Sequence, residues 1–335
     1  MGIREAMAGL KLPSAIVIAA LLGTAGVAEA EALRDNWCSD VKIRFFVGGA
    51  EGDAFGTIVY NGAKQAEHDT GAQIDYVFSG WDSERMVQQL REAVASKPDG
   101  IAMMGHPGDA PIMPLAEQAA KDGIKMMYQN VPVPQVVAAF GGGYVGAQQE
   151  AQGRALGVEA ARVAGLQSGD VAIVIGPFSN ENRGARERGT VAALEEAGIT
   201  VVQIDSLPNW AADPNLAIPV ITAAILNNPD VKAIGYPGGQ MLGNVPTYMQ
   251  AAGKGPGDVF NFGFDTSPQI VEAFNDGWVQ LTADQQPFLQ GYLPILSLCQ
   301  QVVYGLAPMN VDTGAGFVNT DNYEIVAELA TEALR

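Results

Sequence analysis

Short continuous apolar runs alternate along the chain with segments whose apolar residues recur every three or four positions. The continuous runs predict buried β-strands, and the periodic segments predict helices with one buried face. Lys42–Gly48 predicts the first strand, and Thr57–Asp69 predicts the first helix, with Ile58, Gly62 and Ala66 on one stripe. Apolar strands separated by helices of this length indicate a parallel sheet that is covered on both faces.

This alternation extends from residue 42 to residue 283. A second series of helices and strands begins near residue 148, so the chain divides into two similar halves. The predicted strands are 42–48, 73–78, 100–104, 124–129, 171–175, 200–204, 232–235, 259–263 and 280–283. The predicted helices are 57–69, 84–96, 112–121, 148–163, 186–197, 219–226, 245–252 and 268–276.

A short signature occurs once in each half. Pro98-Asp99 precedes a strand that ends in Gly105-His106-Pro107-Gly108, and Pro229-Asp230 precedes one that ends in Gly235-Tyr236-Pro237-Gly238. We therefore predict a duplicated α/β lobe, each copy an open, doubly wound parallel sheet. Such sheets bind ligands beyond the carboxyl ends of their strands. His106 and Tyr236 are expected on opposite walls of a cleft between the lobes.

Composition narrows the class of protein. The chain has 335 residues, of which 48% are hydrophobic and 17% charged, and its formal net charge is −18. This balance excludes a disordered chain, and the acidic surface would repel nucleic acid and anionic lipid. Two Cys and two His leave little material for a Cys/His metal site. We expect a monomer that binds no nucleic acid, metal or cofactor.

The first 30 residues are typical of a secretory signal peptide. A basic start with Arg4 and Lys11 is followed by an uncharged apolar run, Ala15–Ala28, and by the small-x-small pattern of Ala28-Glu29-Ala30. The run is shorter than a transmembrane helix requires, although an N-terminal membrane anchor is the alternative. Cleavage after Ala30 would deliver the chain to an oxidising compartment. There Cys38 and Cys299 either form a disulfide or remain buried free thiols, and the sequence leaves both open.

Polar residues follow most of the predicted strands. Asp53 and Phe55 come after the first strand, and later strand ends carry Asn130, Asp265 and Gln285. A carboxylate beside an aromatic ring suits a sugar, whose hydroxyls bond the carboxylate and whose C–H face stacks on the ring. Each residue also has a plainer interpretation, since an Asp before a helix is a common cap. Together they indicate a polar ring around a concave site.

Several of these segments, in this order, make the chain resemble the type I periplasmic sugar-binding proteins of ABC transporters, the family of ribose-binding protein. The resemblance covers roughly residues 41–320 and rests on Gly52-Asp53-Ala54-Phe55, Asn61-Gly62-Ala63, Lys97-Pro98-Asp99-Gly100-Ile101, Gly184-Ala185-Arg186-Glu187-Arg188-Gly189, Gly263-Phe264-Asp265 and Asp284-Gln285-Gln286-Pro287. It implies a periplasmic protein that closes around a monosaccharide or sugar alcohol and delivers it to a membrane permease without catalysis.

The resemblance also implies a set of ligand-binding residues, to which the first and second lobes both contribute. They are Asp53, Phe55, His106, Asn130, Arg186, Trp210, Gly238, Asp265 and Gln285. Three departures from the family pattern argue against ribose as the ligand. Asn130 replaces Asp, Gly238-Gly239 replace Asn-Asp, and Gly56 replaces a second aromatic residue. A different sugar or a linear polyol fits these changes better.

The lobes are expected to be joined by three crossings, near Ala147, near Gln285 and near 317–322. The first lobe would then comprise 41–147 and 285–318, and the second 148–284 and 319–335. Three other functions suit this architecture. An enzyme would need a catalytic base at the cleft, for which His106 is the candidate. A transcription repressor core would carry an N-terminal DNA-binding motif. A periplasmic sensor presenting sugar to a chemoreceptor or kinase would use the same pocket.

Overall fold

The computed structural model describes residues 35–314 and 316–335. The predicted signal peptide, residues 1–30, lies outside the described residues. Within them, no helix combines the length and the apolar character that a membrane span requires.

Twelve strands and twelve α-helices occupy the described residues. The strands are β1 (Lys42–Phe46), β2 (Gln73–Val77), β3 (Gly100–Met104), β4 (Lys125–Gln129), β5 (Gly143–Gly146), β6 (Val171–Gly176), β7 (Thr200–Asp205), β8 (Val231–Gly235), β9 (Phe260–Phe264), β10 (Leu281–Asp284), β11 (Asn310–Asp312) and β12 (Gly316–Asn319). The helices are α1 (Ala54–Thr70), α2 (Ser83–Ala95), α3 (Asp109–Lys121), α4 (Pro134–Phe140), α5 (Gln149–Val163), α6 (Ala185–Glu196), α7 (Ile218–Asn227), α8 (Gly239–Gly243), α9 (Val245–Ala251), α10 (Pro268–Asn275), α11 (Pro287–Tyr304) and α12 (Tyr323–Thr331).

The strands form two sheets of six with the same internal order. The first runs β11-β5-β4-β3-β1-β2 and the second β12-β10-β9-β8-β6-β7, so β4 corresponds to β9 and β5 to β10. All pairings are parallel except that of β10 with β12, which is antiparallel. The predicted fold class, two doubly wound α/β lobes, is confirmed.

Both faces of the second sheet are covered, as a doubly wound sheet requires. Successive residues of β6 point to opposite faces. Ile173 and Ile175 pack in a cluster with Trp210 and the residues of α9, whereas Ala172 and Val174 pack in a separate cluster with residues of α5 and α6. This two-sided burial explains why the strand is a continuous apolar run rather than an alternating one.

The third crossing between the lobes lies earlier than predicted. β11 pairs in parallel with β5 of the first sheet, and β12 pairs with β10 of the second. The chain therefore passes between lobes after Asp312 and before Gly316, not at 317–322, and residues 316–318 belong to the second sheet. The pattern of apolar residues did not predict β11 and β12, because these strands are only three and four residues long.

The glycine-rich segment around Gly143 is a strand of the first sheet. It forms β5, and a Cβ atom at Gly143 would lie only 2.1 Å from the main-chain oxygen of Met309. The close approach of the two backbones therefore requires glycine at this position.

Cys38 and Cys299 form a disulfide with a Cα–Cα distance of 5.7 Å. Both residues lie in the core of the first lobe, so the bond ties the segment before β1 to α11. Of the two alternatives that the sequence left open, the structure supports the disulfide.

The double substitution Cys38→Ala and Cys299→Ala removes the disulfide and should lower the free energy of unfolding by about 2–5 kcal/mol. The disulfide closes a long loop in the unfolded chain, and without it the unfolded chain gains conformational entropy. Chemical denaturation of both proteins measures the loss. Mass analysis of the unreduced protein should find two hydrogens missing. Two thiols that react with an alkylating reagent in the unfolded, unreduced protein would contradict the bond.

Candidate functional site

A cavity of about 400 Å³ lies beyond the carboxyl ends of both sheets. Residues that follow strands of the first lobe form one wall, and residues that follow strands of the second lobe form the other. The lining residues are Phe55, Trp81, Ser83, His106, Asn130, Pro177, Ser179, Asn180, Arg183, Arg186, Ser206, Leu207, Pro208, Trp210, Ala211, Pro237, Gly238, Gln240, Met241, Asp265 and Gln285. All predicted site residues except Asp53 are among them.

Asn130 and Asp265 occupy equivalent positions in the two lobes. Asn130 directly follows β4 and Asp265 directly follows β9, and these strands correspond in the two sheet orders. Both residues have left-handed backbones, with φ of 66° and 78°. Asn and Asp adopt this conformation more readily than other side chains that carry a Cβ. The turn directs the chain away from each sheet and leaves both side chains buried at the cavity.

Gln285 connects these two residues at the second crossing. Its side-chain amide donates to Oδ1 of Asp265, and its Oε1 accepts from Nδ2 of Asn130 at 3.2 Å. Nδ2 of Asn130 also donates to Oε1 of Gln290 at 3.0 Å. Asn130, Gln285 and Asp265 thus form a continuous polar chain from one lobe to the other, which we call the hinge triad.

Asp265 is held by donors from its own lobe and from the crossing. Its Oδ2 accepts from the main-chain N–H of Gly239, at the start of α8, at 2.8 Å. Burial raises the pKa of the Asp265 carboxyl, while the charge of Arg186 and the hydrogen bonds from Gln285 and Gly239 oppose that rise. Donors on both oxygens fix the orientation of the carboxyl group, which lines the cavity.

Arg186 lies on α6 with its guanidinium 3.7 Å from the centre of the Phe264 ring. Its Nη2 donates to the main-chain oxygen of Pro237 at 2.5 Å, and its Nε lies 3.4 Å from Oε1 of the buried Glu187. Burial lowers the pKa of Arg186 to about 10, with Arg183 adding to the effect, so the group stays charged at neutral pH. The flat, stacked guanidinium presents donors to the cavity in a fixed direction.

The first-lobe wall is aromatic. The Phe55 and Trp81 rings lie 5.7 Å apart, and those of Trp81 and His106 lie 5.1 Å apart. Nδ1 of His106 is buried without a hydrogen-bond partner among the described residues. Tyr236 does not form the opposing wall, contrary to expectation. It packs in the core, stacked on Tyr248. His106 is the second residue after β3 but Tyr236 is the first residue after β8, so the two side chains do not occupy equivalent positions.

Asp53 is the N-cap of α1, accepting from the main-chain N–H of Gly56 at 2.6 Å. Its other oxygen accepts from Nε1 of Trp81 at 3.0 Å and, across the cleft, from Nε2 of Gln240 at 2.6 Å. The residue therefore serves as the cap that the sequence allowed, and it also joins the two lobes at the cavity rim.

The second-lobe wall includes Trp210, which is buried in a short 3-10 helix, 208–210, after β7. At Gly238 a Cβ atom would lie 3.6 Å from Oδ2 of Asp265, so a side chain would fit and its absence enlarges the cavity. Sequence reasoning missed Trp81, Arg183 and Gln240. Trp81 closely follows β2, so a search for side chains after strand ends could have found it. Arg183 lies in a segment rich in charged residues, 181–188, and such a segment is typical of a solvated face.

Ligand affinity should not respond to titration of His106 between pH 5 and pH 8, changing by less than about twofold. Burial, together with the charges of Arg183 and Arg186, lowers the pKa of His106 to about 3 from an ordinary value of 6.5. The unfolded chain takes up a proton below pH 6.5 that folded His106 does not, so this group makes stability fall as the pH drops from about 6.5 towards 3. Calorimetric titrations with ligand at several pH values test the first statement. An affinity change centred near pH 6.5 in the wild type that is absent in His106→Gln would contradict it.

The cavity offers fixed acceptors, fixed donors and aromatic faces, which is a set suited to binding a polar, uncharged molecule. Among the described residues, no group of three His, Cys, Asp or Glu side chains is placed to hold a metal ion.

Comparisons with known proteins agree with this architecture. The chain is 26% identical over 258 residues to the xylose/arabinose-binding protein XylF of Sulfolobus acidocaldarius, covering 72% of this chain and 62% of that protein. It is 27% identical over 223 residues to the D-allose-binding periplasmic protein of Escherichia coli, covering 65% of this chain and 70% of the relative.

A solved structure shares the fold. The carbohydrate transporter protein of Acidothermus cellulolyticus, in complex with myo-inositol, superposes with a TM-score of 0.74 at 23% identity, covering 88% of this chain and 99% of that one. The model of the periplasmic binding protein domain matches residues 44–305. The chain therefore belongs to the periplasmic binding protein domain family, in its type I form.

Proposed function

We propose that this protein is a solute-binding protein that takes up a monosaccharide or sugar alcohol outside the cytoplasm and delivers it to an ABC importer. The hinge triad is the observation that carries the proposal. It places an amide and a carboxylate from opposite lobes at one end of a cavity, where a polyhydroxyl ligand would bond both lobes at once. The aromatic wall of Phe55 and Trp81 supplies a face for the C–H side of the ligand.

The relatives support a small polyhydroxyl ligand. Their names give xylose or arabinose and allose as ligands, and the similar solved structure holds myo-inositol. These molecules share several adjacent hydroxyls and carry no charge, which suits a cavity around which the charges of Arg183 and Arg186 balance those of Glu187 and Asp265.

Hinge closure would be the working step. A ligand that bonds Asn130 and Asp265 together stabilises the closed arrangement of the lobes relative to an open one, in proportion to its differential affinity for the two. The cross-cleft contacts of Gln240 with Asp53 and of Asn182 with Asp109 form on the same closed surface. The permease would recognise that surface, and the protein itself would leave the ligand chemically unchanged.

We place the protein in the periplasm, after cleavage of the signal peptide at Ala30. The family and the Cys38–Cys299 disulfide support an extracytoplasmic location, since such bonds persist in oxidising compartments. Determination of the N-terminus of the exported protein tests the cleavage site, and a chain that retains its first 30 residues would contradict it.

A thermal-shift screen tests the function. The panel contains D-xylose, L-arabinose, D-allose, D-galactose and myo-inositol, with L-leucine as a non-sugar control. A ligand present at 100 times its Kd adds about 2.7 kcal/mol to stability and so raises the Tm. We expect at least one polyhydroxyl compound to do so and to be recovered unchanged. A response to L-leucine alone, or chemical conversion of the sugar, would overturn the proposal.

A further inference from the structure

Arg183 is a second arginine at the cavity, and its side chain is only 18% exposed. Its Nη1 donates to both carboxylate oxygens of the buried Glu187, at 3.0 and 3.1 Å. Its Nη2 donates to the main-chain oxygen of Pro237 at 2.8 Å. These bonds fix the plane of the guanidinium at the cavity wall.

The guanidinium of Arg183 retains donors that a ligand could use. An arginine side chain carries five N–H groups, two on each Nη and one on Nε. The bonds to Glu187 and Pro237 use both N–H groups of Nη1 and one of Nη2. Nε and the second N–H of Nη2 make no hydrogen bond to any of the described residues. Because Arg183 lines the cavity, these two donors are available to water or to a bound molecule.

The guanidinium groups of Arg183 and Arg186 are neighbours. The Nη2 atoms of both donate to the same oxygen, that of Pro237, at 2.8 and 2.5 Å. Glu187 stabilises these two like charges, since its carboxylate contacts both side chains. The pair therefore forms one array of charged donors at the cavity. Such an array suits two oxygens that are themselves neighbours, as the adjacent hydroxyls of a sugar are.

The residue before Arg183 is bonded to the opposite lobe. Nδ2 of Asn182 donates across the cleft to Oδ2 of Asp109 at 3.0 Å and to the main-chain oxygen of Pro132 at 3.1 Å. Burial and, after it, the charge of Arg183 lower the pKa of His106 on the first-lobe wall. Arg183 thus belongs to the second lobe but lies close to the first, within reach of a ligand held between the two.

From these contacts we infer that Arg183 is a specificity-determining residue: beside Arg186, it donates to one of two adjacent hydroxyls of the bound sugar and so selects the position and configuration of that hydroxyl. The alternative is that Arg183 serves only as an ionic partner of Glu187. The inference rests on the proposed function, since it assumes that a sugar occupies the cavity.

Deoxy sugars test the inference. The parent compound is whichever of D-xylose, L-arabinose, D-allose, D-galactose and myo-inositol raises the Tm most. Calorimetry gives the Kd of the parent and of each of its monodeoxy derivatives, and the ratio of the two Kd values is the penalty for the missing hydroxyl. In the wild type we expect a penalty of about tenfold or more at each hydroxyl that accepts from a charged donor.

Arg183→Met removes the donors and keeps an unbranched side chain. We expect the penalty at one hydroxyl position to fall at least about threefold, because the partner of that hydroxyl is gone. The penalties at the other positions should stay within about twofold of the wild-type values. Arg154→Met, at an exposed arginine paired with Glu196, is the matched control and should leave every penalty unchanged.

Arg183→Lys keeps the test valid if the methionine variant does not fold, because lysine retains a positive charge beside Glu187 but lacks the planar fork. It should show the same fall at the same position. If the parent sugar binds and no single penalty falls in either variant, Arg183 is a structural partner of Glu187 alone and the inference is overturned, even where overall affinity drops. A fall spread equally over all positions overturns it as well. If none of the sugars binds to the wild type, the proposed function fails first.

Discussion

Asp265→Asn should weaken sugar binding by about 10- to 100-fold, because a charged acceptor that faces the cavity becomes a neutral amide. The amide would also place a donor against either the N–H of Gly239 or the side-chain amide of Gln285, both of which now donate to the carboxylate. Turning Gln285 over to relieve this conflict would break its bond from Asn130, so the loss would extend through the hinge triad. Calorimetric titration of both proteins with the same sugar measures the ratio of the two Kd values.

Asp265→Asn changes the hydrogen-bonding chemistry of the side chain without disturbing the fold. Asn adopts the left-handed backbone of Asp265 without added strain, so the fold should remain intact. Asp276→Asn, at an exposed acidic residue of the same lobe, is the control and should leave the affinity unchanged. Equal affinity of wild type and Asp265→Asn would show that the carboxylate only orders the start of α8.

Arg186→Ala should weaken binding more than tenfold, since a hydrogen bond from a charged group contributes roughly 1.5–3 kcal/mol. It should also lower stability, because the buried Glu187 would keep only Arg183 as its ionic partner. Arg186→Lys separates the two effects. Lysine retains the positive charge beside Glu187 but cannot reproduce the flat guanidinium stacked on Phe264.

We therefore expect Arg186→Lys to keep most of the stability and still lose at least about tenfold in affinity. Chemical denaturation gives the first quantity and calorimetry the second. Arg162→Ala, at an exposed arginine paired with Glu159, is the matched control and should change neither. Binding of wild-type strength by Arg186→Lys would make Arg186 a structural partner of Glu187 rather than a ligand contact.

Much of the fold follows from the pattern of apolar residues. Most strands that are buried on both faces and flanked by helices were predicted, because continuous apolar runs are the local consequence of two-sided burial. The exceptions are β5, which is buried but has only four residues and begins and ends in glycine, and the short edge strands β11 and β12. The pairing of β11 and β12 depends on where the chain returns after α11, which no local pattern encodes, and the predicted position of the third crossing was wrong for this reason.

The site was predictable to the extent that strand ends define it. Asn130 and Asp265 were found because they follow buried strands. Their shared left-handed backbone and their connection through Gln285 could not be read from spacing, because the connection joins residues 155 and 20 positions apart in sequence. The predicted position of Tyr236 was wrong by one residue. Successive side chains of an extended chain point to opposite sides, so this difference places Tyr236 in the core and not at the site.

Where the sugar binds is the central question, and a crystal structure of the complex answers it most directly. The ligand should be the polyhydroxyl compound that raises the Tm most in the thermal-shift screen. We predict that its ring lies between the lobes, with hydroxyls within about 3.2 Å of both Asn130 and Asp265 and with one face against Phe55 or Trp81. A ligand bonded to one lobe alone, or bound outside this cavity, would contradict the account.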